Sequence, residues 1–330
     1  MAIVDPDVRI LRALLAANGG FVKGSELEEL LSVSRVAVWG RLEKLREAGY
    51  EIEAQRHQGY RLIGEPKILH ETLLRAWLPD EGISLAYFEN VDSTNSEAER
   101  LLALNERAPF VVVAGSQGQG RGRMGRVWHS PVGANLYASF AFRPTVAPHE
   151  MPMITLWLGL AVAKVLNENY QLPVKIKWPN DLIFNGKKVA GMLTEARVDA
   201  DRTRDLVFGL GLNMGAEPKD WPDTVRSVAT SLQAESEERL PIAQMAAKII
   251  ETVLLEFGRF EKGDIGVDLL SRWNRYDLLK GQVIETLYRG QRVSGVASGI
   301  DEFGRLLLVK SDGSMLALNS GEVSLGTRGH

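Results

Sequence analysis

The sequence has no cysteine, which excludes disulfides and thiolate metal sites. Its histidines, His57, His70, His129, His149 and His330, are too scattered for zinc-ligand spacing, so no tightly bound metal is expected. No charge of one sign dominates: 39 Lys and Arg stand against 42 Asp and Glu, and a net charge of −3 gives no global pull on nucleic acid. Any contact with a polyanion must be local. No apolar run is long enough to span a bilayer, and the segment Met1-Ala2-Ile3-Val4-Asp5-Pro6-Asp7 lacks the basic and apolar parts of a secretory leader. Repeats and low-complexity tracts are absent as well. These absences predict a cytoplasmic globular protein without a membrane role, and 330 residues allow two or three domains.

What is present begins with a compact helical head. Val8, Leu11, Leu14 and Leu15 recur at helical spacing until Asn18-Gly19-Gly20 stops them. Ser25 and Glu28 spell a capping box ahead of Leu27, Leu30 and Leu31. A third helix turns Val38, Leu42 and Leu45 inward and ends at Gly49. Residues 51–55 then alternate like a strand, His57-Gln58-Gly59 turns, and Tyr60-Arg61-Leu62 returns. Three short helices and a hairpin predict a winged helix-turn-helix, its helix-turn-helix over residues 24–43, with the third helix entering a DNA major groove. Candidate DNA contacts are Ser34, Arg35, Ala37, Gly40, Arg41 and Lys44, while Trp39 is expected in the core. From 33 to 61 there are six Lys and Arg against four Asp and Glu, a thin footprint for a polyanion. A small module for dimer or protein contacts therefore stays open beside the DNA reading. Gly64-Glu65-Pro66-Lys67 reads as a hinge.

The richest chemistry lies in Gly120-Arg121-Gly122-Arg123-Met124-Gly125-Arg126. Glycines let a ligand approach the backbone, and arginines offer planar forks of donors to phosphate or carboxylate oxygens. The run contains the spacing of a dinucleotide fingerprint, and residues 110–113 supply a strand before it. Val127-Trp128-His129-Ser130-Pro131, however, cannot open the helix that such a site needs. A merely solvated loop is the other alternative.

Four further islands accompany it. Ser93-Thr94-Asn95 clusters hydroxyl and amide groups where Thr94 and Glu97 spell another capping box. Residues 175–181 read as a strand stopped at Pro179, with Asn180 and Asp181 at its tip. Asn185-Gly186 marks a hairpin turn leading to Lys187, Lys188 and Gly191, lysines that suit a phosphate or are simply solvated. Gly209, Gly211 and Asn213 permit close approach and then offer an amide. Trp128 either covers a flat heterocycle or anchors its loop. Alternating helix and strand patterns, a helix-rich stretch over 241–279 and short strands from 282 onward predict an α+β chain of several domains.

In this order the islands resemble the bifunctional biotin protein ligase and biotin operon repressor family of bacteria, over nearly the whole chain. The resemblance implies a winged helix-turn-helix DNA-binding domain over 1–65, a class II synthetase-like α/β ligase domain with a mixed sheet over 66–278, and an SH3-like β-barrel over 279–330. It implies that Ser93, Thr94, Asn95 and Gln117 hold the biotin ring, and that Arg121, Gly122 and Arg123 close over biotin and phosphate. Lys188 would face the reacting carboxylate and α-phosphate, with Gly191, Gly209 and Gly211 completing the biotin site. Arg126, Trp128, Asn180 and Asn213 would contact the nucleotide. Arg121, Arg123 and Lys188 are the implied catalytic residues. ATP with Mg²⁺ and biotin are the implied substrates, and a lysine of a biotin carboxyl carrier protein is the acceptor. Operator DNA and a homodimer formed with biotinyl-AMP complete the implied partners. Two positions depart from the family's pattern: Met124 replaces a frequent basic residue, and Gly326 stands where an arginine follows the Gly-Glu-x-Ser-Leu segment, Arg328 coming two residues later. A biotin sensor without ligase activity and a lipoate-type acyl-adenylate ligase are the competing readings.

Overall fold

The structure is a computed structural model that describes residues 5–79, 82–133, 135–199, 202–263, 266–319 and 321–325. Gly326, Arg328, His330 and the first four residues, each of which carries an expectation from the sequence, lie outside the described residues.

The head is built as the spacing predicts. Helix α1 (Pro6–Ala16) starts with Asp5 accepting a bond from Asp7 N at 2.8 Å, and proline fixes its first turn. Helices α2 (Gly24–Leu31) and α3 (Arg35–Glu47) come next, then strands β1 (Glu51–Gln55) and β2 (Gly59–Gly64), paired antiparallel as the wing. Leu11, Leu27 and Leu42 are completely buried among the three helices. Each such side chain contributes about 1.5–3 kcal/mol of burial. Ser34 caps α3 through Ala37 N, and Gly49, at φ +93°, takes the left-handed turn that ends it.

Three expectations for the head need correction. The Ser25–Glu28 capping box does not form, because α2 starts two residues earlier and Lys23, its N-cap, makes no side-chain bond. Trp39 is 55% exposed rather than core: Val38, Leu42 and Leu45 fill the inward stripe, and Trp39 falls on its flank. Residues 64–67 are no free hinge. Helix α4 (Glu71–Trp77) packs against α1, and the Arg12 guanidinium donates to the carbonyls of Arg75, Ala76 and Leu78, joining the head to the central body.

That body is a seven-stranded sheet of β3 (Leu85–Phe88), β4 (Phe110–Ala114), β5 (Leu136–Phe142), β6 (Lys175–Lys177), β7 (Asp181–Phe184), β8 (Lys187–Asp199) and β9 (Arg202–Leu212). Its spatial order is β3-β4-β5-β9-β8-β7-β6, and only the β3–β4 pair is parallel. Asn185 and Gly186, both at positive φ, make the expected two-residue turn between β7 and β8. One face of the sheet is covered by α6 (Met151–Lys164), apolar nearly all round, and by the long amphipathic α8 (Ile242–Glu261). Phe142 stacks on Phe257 at 3.5 Å between ring centres, and Trp157 Nε1 donates to Glu256 O at 3.0 Å.

The opposite face is divided. At one end α5 (Thr94–Ala103) buries Ala98 and Leu102 against Phe110, Val112, Ala141 and Val207. At the other end no helix of the described residues lies on the sheet, and its residues are small: Gly191 pairs across with Gly211, and Gly209 with Ser139. Helices α7 (Asp223–Arg226) and α9 (Gly266–Tyr276) complete the body. The tail is a five-stranded antiparallel sheet of β10 (Val283–Tyr288), β11 (Gln291–Ile300), β12 (Leu306–Val309), β13 (Met315–Leu318) and β14 (Val323–Leu325), in the order β13-β12-β11-β10-β14. Trp178 Nε1 donates to Gly304 O at 3.0 Å and seats this sheet on the body.

Candidate functional site

The bare end of the sheet is the floor of a cavity of about 830 Å³. Its walls come from the amino end of α5, the 117–129 loop, the β6–β7 corner, residues 224–229 and the tail at 321–324. Strand alternation puts Asp181, Gly191, Gly211 and Tyr137 in one row across four neighbouring strands. Glycine is demanded here by space. A β-carbon on Gly211 would lie 2.4 Å from Trp128 Nε1, and one on Gly191 would lie 2.8 Å from the same ring. The Trp128 indole thus lies flat on two glycines, its Nε1 buried without a partner.

The α5 end carries a hydrogen-bonded polar cluster. Thr94 is the first helical residue, so the predicted Thr94–Glu97 capping box is absent: Glu97 pairs with Arg100, and the Thr94 hydroxyl donates to Gln117 Oε1 at 3.1 Å. Thr94 N donates to the same oxygen at 2.8 Å. Gln117 Nε2 then donates to Ser130 Oγ at 2.8 Å, and Ser130 Oγ to Trp128 O at 3.0 Å, so Gln117 ties α5 to the far side of the arginine loop. Buried Asn95 accepts from Ser139 Oγ at 2.5 Å and donates to Glu195 Oε2 at 2.7 Å. Ser93 is buried next to Asp92, whose carboxyl the Arg100 guanidinium holds down at about 2.

The loop is short and irregular, with a single turn at Arg123–Gly125 and no helix after it, which removes the dinucleotide-fingerprint reading. Its cations are already paired. Arg121 contacts Glu195 at 2.9 Å and Glu99 at 3.3 Å; Arg123 donates to Asn180 Oδ1 at 3.0 Å; Arg126 pairs with Glu322 of the tail. Met124 is 78% exposed at φ +56°. Lys188 Nζ lies 2.7 Å from Asp181 Oδ1, in contact but without hydrogen-bond alignment, and 5.3 Å from the Trp128 ring centre. Asn213 is buried, its amide nitrogen donating to Thr230 O at 3.2 Å. Burial raises the Tyr137 phenol well above its usual range, and its hydroxyl donates to Pro131 O at 3.1 Å where the loop returns.

Every residue that the sequence suggested for biotin or nucleotide therefore lines this cavity, Gly122, Asn180 and Gly209 included. Sequence reading missed Glu195, Glu99, Ser139, Ser130 and Glu322. Glu195 and Ser139 were within reach of strand alternation, sharing the glycine face of β8 and β5; Glu322 meets Arg126 only through the tertiary fold. The DNA-contact candidates stand apart on α3. Ser34, Arg35, Ala37, Gly40 and Lys44 are exposed, but Arg41 is not opposite the core: it reaches Asp7 Oδ1 at 2.9 Å, and Lys44 reaches Asp7 Oδ2 at 3.2 Å. Among the described residues there is no group of three or more metal-ligating side chains, and no helix is long and apolar enough to cross a membrane.

Known proteins share this organisation. The Biotin/lipoate A/B protein ligase family matches residues 87–213, an HTH domain matches 9–61, and the biotin protein ligase C terminal domain matches 281–326. The chain is 36% identical over 317 residues to the bifunctional ligase/repressor BirA of Bacillus subtilis, covering 94% of this chain and 95% of that protein. It is 31% identical over 322 residues to the protein of the same name in Escherichia coli, covering 97% and 98%. Among solved structures it is similar to the biotin protein ligase from Aquifex aeolicus in complex with biotin and ATP, with TM-score 0.60, 29% identity, and 74% of this chain and 98% of that chain covered.

Proposed function

We infer the function from a fact of membership: the chain belongs to the family of bifunctional biotin ligase/repressors. It is an ATP-dependent biotin protein ligase whose helix-turn-helix head gives it a repressor's role. The observation that carries the ligase assignment is the convergence of the polar α5 cluster, the arginine loop and Lys188 on one glycine-floored cavity.

In the proposed arrangement the biotin ring lies against Ser93, Thr94, Asn95 and Gln117, where buried donors and acceptors match a polar bicycle. Its chain runs over Gly209 toward Lys188, Arg121 and Arg123. Trp128 covers the adenine beside Asn213, and Asn180 and Arg126 lie toward the phosphates. In the first step a biotin carboxylate oxygen attacks the α-phosphorus, and the bond to pyrophosphate breaks. In the second, an acceptor lysine amine attacks the acyl carbon, loses a proton, and AMP leaves. Both steps gather negative charge, which Lys188 and the loop arginines offset in a site shielded from water. Magnesium enters with ATP, as part of that substrate. The acceptor is a lysine of a biotin carboxyl carrier protein. The adenylate-bound form pairs as a homodimer on operator DNA, and the protein works in the cytoplasm.

The test is pyrophosphate exchange into ATP by the purified full chain with magnesium. Biotin should support exchange and lipoate should not, and an added carrier domain should become biotinylated. Exchange with neither acid overturns the ligase reading; exchange with lipoate alone overturns the substrate.

A further inference from the structure

The head has nine Lys and Arg against nine Asp and Glu over residues 5–63, so it carries no net positive charge toward a duplex. Most of its cations are also internally committed. Arg9 and Arg12 donate to backbone carbonyls, Arg41 and Lys44 hold Asp7, Arg46 bonds Ile52 O and Glu43, and Arg61 pairs with Glu53. Among the described residues, Lys23, Arg35 and Arg56 are exposed cations with no side-chain partner. Lys23 opens α2, Arg35 opens α3, and Arg56 sits at the wing turn. Lys23 and the wing touch, since a β-carbon on Gly59 would lie 2.8 Å from Lys23 Cα.

Following Arg35, α3 presents apolar side chains to solvent. Val36 is 76% exposed and Trp39 is 55% exposed. Trp39 and Arg46 are seven positions apart, hence on the same side of the helix, and Arg46 bonds Ile52 O of β1 at 3.0 Å. Trp39 therefore stands on the wing side of α3, and Val36 one turn nearer the helix start. Apolar contact in the major groove singles out the thymine methyl, the one apolar group that base edges offer there.

We propose that Val36 and Trp39 read thymine methyls in the major groove of a DNA duplex, with Lys23, Arg35 and Arg56 on the flanking phosphates, while Arg41 and Lys44 brace α3 against α1 through Asp7. The proposal rests on the repressor reading and says how that surface works. Free cations bordering an apolar strip complement a duplex, whose phosphates border the base edges; a protein partner would leave those charges unanswered.

The experiment starts with the full chain, biotin and MgATP, and selection of a binding duplex from a random-sequence library. Wild type is then titrated with that duplex, with a scrambled one, and with the selected duplex carrying deoxyuridine for thymidine. Val36→Ala and Trp39→Ala should each weaken the selected duplex about tenfold and leave the scrambled one unchanged. Deoxyuridine should weaken wild type, weaken each single variant less, and no longer weaken the Val36→Ala, Trp39→Ala double variant. Lys23→Ala, Arg35→Ala and Arg56→Ala should weaken both duplexes and lower the salt slope by about one each. Circular dichroism and thermal unfolding that match wild type show that the variants fold. If wild type selects no duplex, the repressor reading falls and takes the proposal with it. If wild type selects one but Trp39→Ala and Val36→Ala bind it normally, the proposal alone is overturned. It is overturned too if those variants impair only self-association in sedimentation.

Discussion

Gly211→Ala is the sharpest probe of the cavity floor. The new β-carbon would lie 2.4 Å from Trp128 Nε1, 2.5 Å from Cε2 and 3.0 Å from Cζ2. Non-bonded carbons settle near 3.5–4.0 Å, so the indole must move by about 1 Å. It has little freedom to do so: Trp128 N donates to Gly120 O at 2.8 Å, its carbonyl accepts from Ser130, and Lys188 stands near the ring. Overpacking of this kind costs about 1–3 kcal/mol, which, if spent on the closed loop, is about 5- to 150-fold in affinity. The loss should fall on ATP, measured as KM in pyrophosphate exchange, more than on biotin, measured by calorimetry without nucleotide, because the α5 cluster is untouched. A double-mutant cycle decides the cause: in a Trp128→Ala background the same alanine should cost nothing further. A full additional loss there, or a normal ATP KM in the single variant, refutes the reasoning.

Three further outcomes are expected. Lys188→Ala, which removes the cation facing the reaction and leaves Asp181 unpaired, should lower the rate of adenylate formation by about 100-fold or more in single-turnover assays, and near-normal pyrophosphate exchange contradicts its role. Arg123→Ala breaks the tether to Asn180 and should speed escape of biotinyl-adenylate, read by filtration; retention equal to wild type refutes closure of the arginine loop over the adenylate. Burial holds the His70 pKa below its ordinary value, so the unfolded chain binds the proton more readily: the stability tied to neutral His70 is present above about pH 6.5 and is lost as pH falls below it. Urea unfolding of wild type should weaken through that window and that of His70→Gln should weaken less, with identical slopes ruling this out.

The head and hairpins were legible because their signals are local: a periodic apolar stripe, glycine caps and an Asn-Gly turn each specify their own few residues. The two capping boxes misled for the same reason. Their pattern is local, but Lys23 starts α2 early, and Thr94 has a better acceptor in Gln117, 23 positions away. Trp39 misled because size and apolarity favour burial in general, whereas a helix flank facing solvent is fixed by neighbours that only the fold supplies. The glycines of the floor were visible as places of close approach. That Gly191 and Gly211 face one another beneath the same indole depends on the register of β8 against β9, which no single segment encodes.

The loop arginines show what was least legible and bears most on function. Sequence offers three guanidinium groups free for an anion, yet the fold supplies Glu99 and Glu195 to Arg121 and Glu322 to Arg126. These pairs are partly exposed, and such contacts are worth about 0–1 kcal/mol each. A carboxylate or triphosphate entering a desolvated pocket forms shorter, bidentate bonds and wins that competition. On the proposed assignment, ligand binding is then an exchange of anions: the protein's own carboxylates keep the arginines ordered and surrender them to substrate. Glu195 has a second anchor in Asn95, so the exchange at Arg121 is felt directly at the biotin end of the cavity. The two substrates thereby meet through a side chain that touches neither reacting atom.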